Sequence, residues 1–304
     1  MNGRAGAAVK YLPILLVMVF WGSMGVPSTY AVAELSPLWV LCLRSGIAVM
    51  VLFPAALRRN RGLRPAPKEG GLLAVLSLVG VVGCNYLYYY AVQNTALANV
   101  AILYALGPII TTVLAGIFLK ETVRQGRCLG IVLAFAGVSA LITNGDISAV
   151  FSIHFNRGDL AELGSASCLA VYTILSRRLE KTPPECAVFW LMLIAFVVTL
   201  PMALVLEGGP GPHISIRGIL SLLYLGVLCS GLGYLLQQCS IRQIGASASA
   251  AFLNGISPIT ILTAALILGE HVTFNQVLCM AVVFSGLYLN ASNQNLFYKK
   301  HRAA

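Results

Sequence analysis

Arg44 and Glu162 are the two ionisable side chains that stand inside otherwise apolar stretches of this chain. A charged group in hydrocarbon is costly, so it faces protein or a watery cavity and has something to do there. Arg44 could hold an anionic group of a ligand, tie helices together or snorkel outward. Glu162 could snorkel from about one turn inside its helix, or serve as a gate or a proton-coupling group. Further polar groups lie at helical spacing. In Asn85-Tyr86-Leu87-Tyr88-Tyr89-Tyr90, residues Asn85 and Tyr89 share a face at i, i+4 and are candidates to line a cavity. Tyr88 and Tyr90 read as members of an interfacial aromatic belt. Asn99, Gln237 and Gln238 are further candidates, with hydrogen bonding between helices as their plainer role.

What the chain lacks narrows the chemistry. It carries no HExxH, no GxSxG and no Asp-rich motif, so no catalytic residue is assigned and no enzyme is expected. Its eight cysteines have no CxxC spacing and mostly fall in apolar runs, as small buried hydrophobes do. His154, His213 and His271 lie between the runs, where solvated histidines are ordinary. No metal and no cofactor is expected.

The elements that must position these groups are helices in a bilayer. Hydrophobic residues make up 58% of the 304 positions and charged residues only 10%, against about 25% in soluble domains. Mean hydropathy is +0.85. Ten apolar runs are each close to the roughly 20 residues that a spanning helix needs: 11–33, 36–57, 71–93, 97–119, 123–144, 158–179, 184–206, 216–240, 246–268 and 273–292. Between them come breaks such as Pro183-Pro184 and Gly208-Gly209-Pro210. The net charge of +10 is spread over short connectors rather than one polar face, which argues against nucleic acid as a partner. Ten spans put both termini on one side, and that side then holds 17 of the 20 Lys and Arg residues. The positive-inside rule makes it the cytoplasm. The chain is therefore expected to be a multi-pass protein of the cytoplasmic (inner) membrane, with the lipid bilayer as partner and no indication of oligomeric state.

The chain also repeats itself. Residues 93–109 align without gaps on 243–259 with seven identities, among them Gln93/Gln243, Pro108/Pro258 and Ile109/Ile259. One gap later come Glu121/Glu270 and Gly137/Gly286. Each repeat holds five helices, and an odd number forces the halves into opposite orientation, an arrangement common in secondary transporters. Pro108 and Pro258 lie mid-helix, where each withholds the N–H that would bond the carbonyl four residues earlier, at Tyr104 and Asn254. Such breaks are tolerated in lipid where protein or a watery cavity meets them. The expected site lies between Tyr104 and Asn254, with Trp21, Asn85 and Tyr89 as walls. Simple kinking for packing is the alternative.

With these residues in view, the sequence resembles the drug/metabolite transporter superfamily in its ten-helix, EamA-like branch. The resemblance rests on Phe20-Trp21-Gly22-Ser23, Pro37 with Leu43-Arg44, the Pro108…Glu121 stretch, Gly158-Asp159-Leu160, Tyr172-Thr173 with Ser176-Arg177-Arg178, and Pro258…Gly269-Glu270. It departs at Leu169, where the second half would carry its own Trp. It implies an all-α membrane protein with five-helix repeats at 1–146 and 157–292 and a cytoplasmic tail at 293–304. It further implies a carrier of a small metabolite, such as an amino acid or a related compound, moved outward by alternating access. The substrate would be held by Trp21, Arg44, Asn85, Tyr89, Asn99, Tyr104, Tyr172, Gln238 and Asn254. A channel, a membrane scaffold or, further off, a membrane-embedded enzyme are the competing readings.

Overall fold

The structure, a computed structural model, describes residues 2–58, 63–95, 97–120, 125–143, 156–210, 214–268 and 272–302. Glu121, Glu270, His154, His213 and His271 lie outside the described residues. Every regular element among them is helical. In chain order these are α1 (Asn2–Gly22), α2 (Gly25–Glu34), α3 (Pro37–Leu57), α4 (Gly70–Asn94), α5 (Leu97–Tyr104), α6 (Gly107–Phe118), α7 (Gln125–Ile142), α8 (Arg157–Ser176), α9 (Pro184–Leu206), α10 (Ile216–Ile244), α11 (Ala246–Phe252), α12 (Ile256–Leu268) and α13 (Phe274–Arg302).

Among the described residues, six helical stretches are long and apolar enough to cross a membrane, and α1 with α2 would make a seventh, bent by 43°. Cys128–Ile142 and Phe274–Leu289 are apolar but shorter. Exposed Met50, Val205 and Leu266 suit lipid rather than water. The chain is a multi-pass helical membrane protein.

The run expected as one helix over 11–33 is broken after Gly22. Pro27 in the first turn of α2 has no N–H to give the Ser23 carbonyl, which is where the α-helical ladder lapses. The 97–119 run breaks at Ala105–Leu106, just before Pro108. The 246–268 run narrows to a 3₁₀ turn at Leu253–Gly255, just before Pro258. Two π-helical segments, Ser77–Gly83 in α4 and Leu225–Gly233 in α10, widen their helices. They fall at the same place in the two halves when 93–109 is laid on 243–259.

Two helix pairs pack most extensively, α3 with α9 and α7 with α13. Glycine sets the second crossing. A Cβ on Gly286 would lie 2.6 Å from the Gly130 carbonyl oxygen, and one on Gly137 would lie 2.9 Å from Val283. The two helices therefore approach almost backbone to backbone, at a separation that larger residues forbid.

Two polar clasps tie the ends of the bundle. At one end, the Glu69 carboxylate accepts hydrogen bonds from the backbone N–H of Glu180, Lys181 and Thr182 and from the Thr182 hydroxyl. There Trp190 Nε1 donates to the Leu63 carbonyl at 2.5 Å, and Arg242 donates to the carbonyls of Leu179 and Thr182. At the other end, Ser36 donates to Glu207, Trp39 Nε1 donates to the Gly208 carbonyl, and Ser215 donates to Glu34 through both N–H and Oγ. The described basic residues Arg177, Lys181 and Arg242 gather at the Glu69 end.

Two outcomes follow. Gly286→Val should force α7 and α13 apart and lower stability by about 1–3 kcal/mol, seen as a lower thermal unfolding midpoint in detergent. An unchanged midpoint would contradict the close crossing. The second concerns Glu69. Burial pushes its carboxyl up, but the bonds from Thr182 and from the backbone of Lys181, Thr182 and Glu180 outweigh it and hold the group below its ordinary value of 4.5. A carboxyl held low contributes stability that is present above the ordinary value and is lost as pH falls through the lowered one. The midpoint of the wild type should therefore fall below pH 4.5. Glu69→Gln should be less stable at neutral pH and show a flatter profile in that acid window.

Candidate functional site

Arg44 is 2% exposed, at the meeting of α3, α4 and α10. Its Nε donates to Ser230 Oγ at 2.6 Å, and its Nη1 donates to Asn85 Oδ1 at 2.9 Å and to Tyr89 Oη at 2.5 Å. Asn85 in turn donates through Nδ2 to the Val81 carbonyl and to Tyr234 Oη, at 2.7 and 2.9 Å. The planar guanidinium thus holds three neutral acceptors on two other helices, a use of its fork that the point charge of lysine cannot copy.

The π-helical segments make this network possible. An extra residue in a helical turn frees carbonyls from the regular ladder, and such turns recur at functional sites. Tyr234 donates to the Gly80 carbonyl in the first segment at 3.0 Å. Trp21 Nε1 donates to the Cys229 carbonyl in the second at 3.1 Å. Gly233 lets the indole in, since a Cβ there would stand 2.5 Å from Trp21 Nε1. Trp21 and Tyr172 both meet the Tyr234 ring edge-on, at 5.4 and 5.5 Å.

Beside this network run three adjoining cavities that share Tyr104. The widest, about 170 Å³, is walled by Trp21, Met24, Gly25, Tyr88, Val100, Ala101, Tyr104, Ile142, Ile256, Ser257, Thr260 and Ile261. A narrower space of about 30 Å³ continues along Trp21, Arg44, Cys84, Asn85, Tyr88, Tyr104, Ser165, Leu169 and Tyr234. The last, about 10 Å³, lies against Tyr104, Pro108, Thr111, Leu169, Thr173 and Leu253. The column therefore narrows toward the Glu69 end.

Of the residues singled out from sequence, Trp21, Arg44, Asn85 and Tyr104 line this column, and Pro108 borders its narrow part. Tyr89 stands behind the wall as a ligand of Arg44. Asn99 belongs instead to a cap at the far end, donating to Asp159 Oδ1 and Thr95 Oγ1 at 3.2 and 3.4 Å. Tyr172 is buried behind Tyr234, and Gln238 donates to the Ser176 carbonyl. Asn254 is 2% exposed with both side-chain polar atoms unpartnered among the described residues, and the column is bordered by its neighbours Leu253, Ile256 and Ser257. Pro258 sits beneath them in α12, off the wall. Glu162 and Arg44 are both buried, so neither snorkels here.

Sequence reasoning missed Tyr88, which walls the two larger spaces rather than joining a belt. It also missed Ser230 and Tyr234. The clustered glycines Gly80 and Gly83, and Gly226, Gly231 and Gly233, were the available signal for the π-helical turns.

Fold and site together define a polytopic α-helical membrane protein with a cavity among its central helices. The EamA-like transporter family matches residues 9–143 and 156–292, and the chain belongs to that family. It is similar over most of its length to transporters rather than enzymes. The uncharacterized transporter YyaM of Bacillus subtilis is 27% identical over 286 residues, covering 91% of this chain and 92% of that protein. The WAT1-related protein At1g44800 of Arabidopsis thaliana is 26% identical over 321 residues, covering 94% and 86%. A crystal structure superposes with a TM-score of 0.80 at 16% identity, over 95% of this chain and 99% of that one, a likeness of fold alone. The chain is a membrane transporter, and a small-molecule substrate goes with that.

Tyr89→Phe should leave the Arg44 cation one acceptor short and cost about 1.5–3 kcal/mol, the range for a hydrogen bond to a charged group. Arg44→Lys should also lower the unfolding midpoint in detergent. Wild-type midpoints for both variants would show that the fork contributes nothing to the fold.

Proposed function

We propose that this chain is a secondary active carrier that moves a small metabolite, an amino acid or a related compound, out of the cell by alternating access. The observation that carries this is the tapering column centred on Tyr104. It is wide between the breaks in α1–α2, α5–α6 and α11–α12, and closed toward the Glu69 clasp. Substrate rests in the wide part, against Trp21, Tyr88, Tyr104 and Ser257, with Arg44 at its inner limit. Arg44 is a fixed cation held by neutral partners, so it suits the carboxylate of such a compound.

In this reading ten helical stretches cross the bilayer as two inverted five-helix repeats. Both termini are in the cytoplasm, at the basic end. The clasps support the inversion. The α3–α4 connector meets the α8–α9 connector at one end, and their repeat counterparts, the α9–α10 and α2–α3 connectors, meet at the other. Opening one clasp and closing its counterpart exchanges the conformations of the halves. Both clasps are formed in the structure, and the wide part of the column lies on the outward side of the Glu69 clasp in this reading.

The test begins with a thermal-stability screen of the purified protein against metabolites, because a ligand that binds the folded state raises its midpoint. A stabilising compound should show saturable counterflow in proteoliposomes. In a cysteine-free background it should slow alkylation of Ser257→Cys and leave Gly209→Cys, on the surface, unaffected. Flux that never saturates would make the protein a channel, and equal alkylation at both positions would remove the column as the site.

A further inference from the structure

Glu162 is fully buried, and neither of its carboxylate oxygens has a hydrogen-bond partner among the described residues. Asp159, one turn earlier on α8, shows what a structural carboxylate looks like in the same helix. It accepts from the Asn156 N–H at 3.0 Å, from Thr95 Oγ1 at 2.7 Å and from Asn99 Nδ2 at 3.2 Å, closing a capping box. Glu162 closes nothing. Yet it stands on the working face of its helix, three residues before Ser165, four before Ala166 and seven before Leu169, all of which border the column.

Among the described residues, no cation lies within hydrogen-bonding reach of its carboxylate. From α4 come Cys84 and Tyr88, with Tyr90 packed near Ala161, and from α5 comes Tyr104. The described parts of α6 and α11 carry no ionisable side chain. α10 meets α8 deeper, through Tyr234 at Tyr172 and Gln238 at Ser176. On α8 itself, Arg157 lies at the exposed end and Asp159 is occupied as above. Cys84 and Tyr88 lie within electrostatic range of both Glu162 and the buried cation Arg44. A bare carboxylate without donors is expensive in such a place, and taking up a proton removes that cost.

We propose that Glu162 is the proton-binding site of the transport cycle. One proton from the compartment that the column faces adds to a carboxylate oxygen. The neutral carboxylic acid is buried as the bundle rearranges. The O–H proton then passes to water on the other side, restoring the carboxylate. Tyr88 and Tyr104 link this event to the substrate space, since both wall the column and both lie within electrostatic range of Glu162. The proposal rests on the carrier reading for its consequence, but its core is testable without a substrate.

Dicyclohexylcarbodiimide, an apolar reagent that reacts with protonated carboxyls, is the probe. The full chain in detergent is treated across a pH series and the adduct located by mass spectrometry. Glu162 should be modified at acid pH, and the adduct should fall about tenfold per pH unit above the midpoint of its titration. Asp159 should stay unmodified. No adduct on Glu162 in folded protein, or an adduct indifferent to pH, overturns the proposal. With a substrate in hand, Glu162→Gln should retain counterflow and lose accumulation driven by a proton gradient; gradient-driven accumulation in that variant also overturns it. Labelling needs no substrate, so absent counterflow in a protein that labels as expected strikes only the carrier reading.

Discussion

A guanidinium buried among neutral acceptors is the constraint around which the centre of this protein is built. Arg44 cannot shed its charge, and in a bilayer it cannot reach water from this depth without leaving its helix partners. Asn85, Tyr89 and Ser230 must therefore be brought to it from α4 and α10. That need fixes the rotation of both helices, and it sets Tyr234 against Asn85 and the Gly80 carbonyl. Trp21 packs on Tyr234, and the wall of the column follows. One charge thereby orders three elements distant in sequence.

The π-helical segments show how backbone and side chains share this task. A regular helix in lipid keeps its carbonyls to itself. By widening at Ser77–Gly83 and Leu225–Gly233, α4 and α10 release carbonyls that Tyr234 and Trp21 then take up. The proline breaks do the same job more coarsely beside the wide cavity. Irregular backbone is thus concentrated where protein and cavity meet it, while α7 and α13 cross as unbroken helices. The clasps at the two ends are built from connectors, whose loose backbone N–H groups suit a carboxylate such as Glu69 or Glu34.

Much of this was legible in the sequence, for plain reasons. Lipid demands long apolar runs, so composition and run length declared a multi-pass membrane protein. Proline and glycine act locally, so the breaks before Pro108 and Pro258 could be read from residue type. The bend after Gly22 is not legible in the same way, because the 11–33 run is long enough to read as one span and hydropathy does not register a single Pro27. Arg44 and Glu162 stood out because charge is rare in these runs. Tyr88 did not, because a tyrosine near a helix end serves a belt or a cavity equally well and only rotation of α4 decides which.

The sequence by itself determined the family, the helical class and the residues that cannot be placed in lipid without a partner. Those follow from hydropathy, charge and backbone chemistry, which act over a few turns of one helix. Tertiary structure decided who the partners are. It gave Arg44 three neutral acceptors, gave Asp159 a full cap and left Glu162 with none among the described residues, and it set Asn99, Tyr172, Gln238 and Asn254 off the wall of the column. Such choices depend on how helices far apart in sequence rotate against one another, and no short-range pattern carries that information.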